Sequence, residues 1–383
     1  MTSKERIEAI FAGKKPDRVG RYEQSIYSSV ASAILGRPAL TGGTSLHYEE
    51  AKAWVKGGKA AHREVIERAY ADNAELRTKL GFDMIGRPWL MESEPAKRLN
   101  EYEFLYGDPD ADWRIYRYDP ISETYGEVDS SAKHETIDDL KKHVAELKQS
   151  ADAGEEEDDD SPGAWYLKRL LEDFGDSKAV PGSAWLSIPL TESWLMACAT
   201  DPGLVGAYLD LAVEGQKRNL RRQAEMGIKI LWAGGDFADN RGPLYGPSVF
   251  RALMLPRLKR LMDEVHKLGL YYVYRSDGNL WSVTDMMFDE AGCDGYGEID
   301  WAAGMDLAEL KRRYPKVTFW GNVPPALIRD KTKDEVLAAC KHCIDAVKAD
   351  RRLILGSSNS IIPGTPPENV FAITEAIEKW GAA

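Results

Sequence analysis

The stretch Ile228-Lys229-Ile230-Leu231-Trp232-Ala233-Gly234-Gly235-Asp236 decides the fold. An apolar run too short for a helix ends on two glycines and a carboxylate. Leu270-Tyr271-Tyr272-Val273-Tyr274 repeats the pattern and ends on Arg275-Ser276-Asp277-Gly278-Asn279. Further runs are Ala179-Val180, Trp185 to Ile188, Gly295 to Glu298, Val317 to Trp320 and Leu353 to Leu355. Helical stretches separate them, which implies βαβ units and a parallel sheet. A closed barrel and an open doubly wound sheet both fit that alternation. Phe82 to Ile85, or Arg18 to Tyr22, brings the strand count to eight, and no glycine-rich dinucleotide fingerprint follows any run. Both points favour a TIM-type (β/α)8 barrel, an α/β fold.

Upstream of the barrel runs, residues 2–12 read as an amphipathic helix and 18–22 as a short strand. Residues 47–79 are charged, alanine-rich and free of proline, which predicts one or two long helices over a helical elaboration at 40–80. Residues 47–73 are placed to cover the barrel mouth. Residues 100–129 alternate aromatic and polar positions (Tyr102, Phe104, Tyr106, Trp113, Tyr116, Tyr118), the pattern of a β-hairpin or small sheet. With the acidic run Glu155 to Asp160, read as a solvated loop, they form a 100–160 insertion. The expectation is one domain, 1–383.

The 383 residues carry a net charge of −12 and 43% apolar residues. The acidic balance argues against a nucleic-acid partner. No stretch approaches the roughly 18 apolar residues of a membrane span, and the charged N-terminus has no signal-peptide core. Four scattered cysteines make no disulfide framework. A cytoplasmic protein is expected. Cys340-Lys341-His342-Cys343 has the spacing of a metal half-site, but it lies in a helical stretch and lacks a second pair, so the thiols are read as ordinary packing residues.

In a parallel barrel the residues that follow the strands face the active site. That rule selects Asp236, Arg275, Asp277, Glu298, Asn322 and Asn359, with Arg87 and Trp89 after the Phe82–Ile85 run. Asp236, Asp277 and Glu298 are candidate proton carriers or ligands of a divalent metal; an oxygen-only set suits magnesium, calcium or manganese. Arg275 either grips an anionic substrate group or neutralises these acids. Trp89, Trp185 and Tyr22 are candidate substrate contacts. Trp232 is read first as barrel core.

The segments Gly235-Asp236, Gly242-Pro243-Leu244-Tyr245-Gly246-Pro247, Ser276-Asp277-Gly278-Asn279, Trp320-Gly321-Asn322 and Pro363 to Val370 occur in that order. In order and spacing they resemble the uroporphyrinogen decarboxylase and cobamide-dependent methyltransferase superfamily. The opening, Arg6 to Val19, is similar to the family start. The resemblance implies a barrel, often dimeric, with its site at the strand ends. Of the decarboxylase's groups, Arg21-Tyr22 resembles part of the arginine loop, the expected aspartate falls near Pro88, and the expected histidine falls at Asn359. The zinc ligands of the methyltransferase branch fall at Arg275, Asp277 and Asn359, so that His/Cys zinc site is absent. Arg275-Ser276-Asp277-Gly278 is most similar to the His-Ser-Asp-Gly segment of corrinoid O-demethylases.

Three functions stay open. The first is methyl transfer from a small methylated donor, such as a methoxylated aromatic, to a corrinoid held by a separate protein. The second is a carboxy-lyase acting on an acidic substrate such as a tetrapyrrole, with Arg275 as its clamp. The third is a barrel that binds a ligand without turning it over. Shared fold does not separate them.

Overall fold

The computed structural model describes residues 1–153 and 161–382; the acidic run 155–160 lies outside the described residues. Six short strands form one parallel sheet: Gly20–Arg21, Leu353–Ser357, Thr318–Val323, Gly295–Gly297, Tyr271–Arg275 and Ile230–Gly234, in that spatial order. The sheet continues past both edges. Gly182 pairs with Leu231 and Trp185 with Gly234, which adds segment 179–186 beside the Ile230–Gly234 strand. Met84 pairs with Ala179, and the Asp83 amide donates to the Arg21 carbonyl at 2.9 Å, back at the first strand. Eight segments thus follow one another around a TIM-type barrel. Two of them, 82–85 and 179–186, are irregular and hold their places by isolated bridges rather than continuous ladders.

The strands are buried on both faces, as expected when helices cover a parallel sheet. Side chains fill the barrel interior. Tyr22, Trp232 and Trp320 meet there with ring centroids 4.7–6.4 Å apart. Trp232 is core, as its sequence context suggested, and Tyr22 is core too, 3% exposed.

The helix Ser3–Phe11 closes the floor. Its Thr2–Glu5 capping box fixes its start, and Ile7, Ile10 and Phe11 pack under the strands. The helix Ser45–Lys79 is broken at Gly57–Gly58, where Gly58 takes φ 60°, so its two arms fold on each other. The aromatic alternation produces a four-stranded antiparallel sheet, Lys97–Arg98, Glu103–Gly107, Trp113–Asp119 and Thr124–Ser130, rather than a lone hairpin. Phe104, Tyr106 and Tyr125 face inward onto Tyr48 of the broken helix, and Tyr48 stacks on Tyr118 at 4.1 Å. Cys340 and Cys343 are fully buried free thiols. No helix among the described residues is long and apolar enough to cross a membrane.

Asp83 joins the ring at its floor. This fully buried carboxylate accepts from Arg6 at 2.6 Å, Arg18 at 2.8 Å, Ser3 Oγ at 2.8 Å and the Arg21 amide at 2.9 Å. Removing it takes one acceptor from each of two guanidinium groups, of which Arg6 keeps Asp17 and Arg18 is partly exposed. Asp83→Ala is expected to cost about 1–3 kcal/mol, the scale for leaving buried donors without their acceptor, as read by urea unfolding.

Candidate active site

The Ile230–Gly234 strand ends on glycines for a steric reason. Gly234 has φ 111°, and a Cβ there would lie 2.4 Å from the Arg275 carbonyl oxygen. The tight crossing swings Asp236 over the mouth, where its Oδ1 accepts from the Asp277 amide at 3.1 Å. Gly278, at φ 85°, packs against the Ala238 backbone and turns the chain after Asp277. Glu298 itself lies at φ 80° and Ile299 at φ 39°. A non-glycine residue in that region costs roughly 1–3 kcal/mol and clusters at functional sites. The strain aims the Glu298 carboxylate inward.

Asp236, Asp277 and Glu298 present oxygens that all lie within 4.8 Å of one another. Arg275 donates to Glu298 Oε1 at 3.1 Å, with both groups buried. Asn359 Nδ2 donates to Asp277 Oδ2 at 2.8 Å. Gln24 Nε2 reaches both Glu298 Oε1, at 3.3 Å, and Asn359 Oδ1, at 3.2 Å. Above Arg275 the Trp89 and Trp185 rings lie 5.8 and 5.7 Å from its Cζ. Both indoles face solvent, at 60% and 38% exposure.

The site therefore gathers Asp236, Arg275, Asp277, Glu298, Asn359, Trp89 and Trp185 of the predicted set. Asn322 and Arg87 stand apart. The Asn322 amide is fully buried in the wall, donating to the Ile299 carbonyl at 3.2 Å and accepting from Cys343 Sγ at 3.2 Å. Arg87 points outward and pairs with Glu92 at 3.2 Å. Tyr22 lies in the core instead. Gln24 went unnoticed, although it too follows a strand, Gly20–Arg21, and the strand-end rule covers it. A groove of about 610 Å³ between Glu127–Ile137 and Thr191–Met196 includes none of these residues.

Charge sets the chemistry. Burial pushes the Glu298 carboxyl up to about 8, against the pull of Arg275, with Asp277 and Asp236 adding repulsion. Burial and the neighbouring Asp236 raise Asp277 to about 6. Glu298 Oε2 has no partner among the described residues. A neutral acid costs less than a carboxylate at a buried oxygen without a partner, in line with the raised value. The triad is also the one set among the described residues with the geometry to hold a metal ion, and its hard oxygens fit magnesium or manganese rather than zinc. No thiol or imidazole among the described residues joins it, so a thiolate zinc site does not fit here.

An α/β barrel with converging acids at the carboxyl ends of its strands has the form of a barrel-mouth active site. Residues 188–380, half of the chain, match the model of the uroporphyrinogen decarboxylase (URO-D) family. The chain belongs to that family. Uroporphyrinogen decarboxylase of Coxiella burnetii (strain RSA 493 / Nine Mile phase I) is 28% identical over 161 residues, 39% of this chain and 42% of that protein. The enzyme of Thermus thermophilus is 25% identical over 185 residues, 45% and 48% of the two chains. The matched region thus spans less than half the length of these curated relatives. Among solved structures, a methyltransferase from Methanosarcina mazei superposes over 99% of both chains with a TM-score of 0.62 and 17% identity, a likeness of fold.

The Glu298 assignment has a signed consequence. From about 4.5, its ordinary value, to about 8 the folded chain keeps a proton that the unfolded chain has lost. The stability this group contributes is complete below about 4.5 and is lost as pH rises through about 8. Glu298→Gln is expected to gain stability relative to the parent from about pH 4.5 to 8, by at most about 1.4 kcal/mol per pH unit, and to level off above. Urea unfolding at each pH reads it.

Proposed function

We propose that this chain is a methyltransferase that moves a methyl group from a small methylated donor, such as a methoxylated aromatic, to a corrinoid held by a separate protein. The observation that carries the reading is the buried Glu298 acid, paired with an Arg275 guanidinium over which two exposed indoles lie. A methyl–oxygen bond breaks readily only if the departing oxygen receives a proton or a positive charge. Glu298 Oε2 supplies the proton. Arg275 stabilises the carboxylate left behind through the 3.1 Å contact. Asp277, held by Asn359, orients the donor's polar edge, and Trp89 and Trp185 stack on its ring. A reduced corrinoid supplies the nucleophile when its carrier docks. Trp89, Leu190 and Leu244, exposed beyond strand ends, offer that carrier apolar contacts.

The carboxy-lyase alternative fits less well. A polyacidic tetrapyrrole needs free cations, but Arg275 is paired with Glu298, and Arg21 is buried against Glu23 at 2.6 Å. A divalent ion on the acid triad remains part of the proposal. It would replace the Glu298 proton as the charge that stabilises the leaving oxygen, and elemental analysis of the purified chain separates the two forms.

The test is demethylation of a panel of methoxylated aromatics with and without a reduced corrinoid protein. Turnover only in its presence is the expected result. Silence across the panel, with a donor bound but unchanged, would leave the non-catalytic reading. Glu298→Gln is expected to lower kcat by about 100-fold or more with little change in KM, the range for loss of a general acid. In the parent kcat is expected to fall as pH rises through about 8, where Glu298 loses its proton.

A further inference from the structure

Away from the acid triad, one buried pair of polar side chains has no part in the chemistry above. Glu50 and His62 are 0% and 1% exposed, and His62 Nε2 lies 3.0 Å from Glu50 Oε1. They come from opposite arms of the helix broken at Gly57–Gly58, and His62 stacks on Trp54 at 4.6 Å. Two helical arms pack more cheaply through apolar side chains than through a desolvated carboxylate. The reason for the acid lies on its other side. Both Glu50 oxygens accept from the Met91 amide, at 3.1 and 2.9 Å.

Met91 belongs to the segment 86–91, which has no regular structure and crosses from the barrel strand near Met84 to the outer sheet. The same segment carries Trp89, whose carbonyl oxygen lies 2.9 Å from His47 Nε2, one turn before Glu50. The broken helix therefore holds the segment at two successive points, one of them a buried ionisable group. At the first of those points the Trp89 ring is laid over Arg275.

We infer that Glu50 and His62 are positioning residues that hold the Trp89 strap over Arg275 and so set access to the barrel mouth. His62 fixes the Glu50 carboxylate, the carboxylate fixes the Met91 amide, and the amide fixes the strap. The inference rests on Arg275 lying in the substrate site, but its test uses neither donor nor corrinoid, so it fails or succeeds apart from methyl transfer.

The probe is phenylglyoxal, which modifies arginine side chains, applied to the full chain and read residue by residue by peptide mass mapping. Trp89→Ala and Glu50→Ala are each expected to speed modification of Arg275 by about fivefold or more, as local opening replaces a closed strap. Arg21, buried against Glu23 in the wall, serves as the internal control. Glu50→Gln keeps an oxygen for the Met91 amide and is expected to stay within about twofold of the parent. Amide hydrogen exchange at Met91 should accelerate in Glu50→Ala and hardly change in Trp89→Ala. If Glu50→Ala does not fold, His62→Ala is read in its place, with the same expected direction at Arg275. An unchanged Arg275 rate in the Glu50 or His62 variant, alongside a faster one in Trp89→Ala, overturns the inference. Equal acceleration at Arg275 and Arg21 overturns it as well, because it marks general loosening rather than a released strap.

Discussion

A barrel built from such short strands must be joined somewhere, and here the joint is a carboxylate. The Gly20–Arg21 strand and segment 82–85 share too few backbone hydrogen bonds to hold a sheet edge. Asp83 compensates from below by binding Arg6, Arg18 and the Arg21 amide at once. It ties the floor helix, the first strand and the second segment to one point. The bond set is strong because it is dry and charge-assisted, and it is directional where apolar packing is not. The order of strands around the mouth, and with it the meeting of acids from distant parts of the chain, depends on that closure.

At the opposite end the barrel does something less economical. It brings three carboxylates within 4.8 Å and sets one guanidinium beside them. Burial and mutual repulsion both favour neutral acids, so the group deepest in the wall, Glu298, keeps its proton in the neutral range while Asp277 titrates below it. Two acids with separated affinities for protons are what acid–base chemistry at ordinary pH requires. The positive φ at Glu298 belongs to the same arrangement, since a relaxed backbone would place the carboxyl elsewhere.

Much of this was legible in the sequence because topology does the sorting. Asp236, Arg275, Asp277, Glu298 and Asn359 each follow an apolar run, and a parallel barrel sends such residues to one face. The rule fails where side-chain partners intervene. Asn322 follows a strand as well, yet Cys343 and the Ile299 carbonyl turn its amide into the wall. Arg87 finds Glu92 outside. Gln24 lies three residues past the Gly20–Arg21 strand, behind Tyr22 and Glu23, which turn into the core and the wall instead. Glu50 and His62 read as ordinary helix positions; only the break at Gly57–Gly58 brings the two arms face to face. The aromatic alternation at 100–129 gave the right kind of structure, but its fourth strand, Lys97–Arg98, is too short and too charged to announce itself.

The two irregular segments of the barrel have a dynamic consequence. Regular ladders open cooperatively, whereas segments held by isolated bridges open at lower cost. Segments 82–85 and 179–186 are adjacent, so the weak part of the ring is one continuous seam. The seam itself carries Trp185, and the chain that leaves it after residue 85 carries Trp89, the two indoles above Arg275. Breathing of the seam and admission of a ligand are thus motions of the same piece of backbone. A substitution that knits the seam into regular sheet would stiffen the doorway along with the wall.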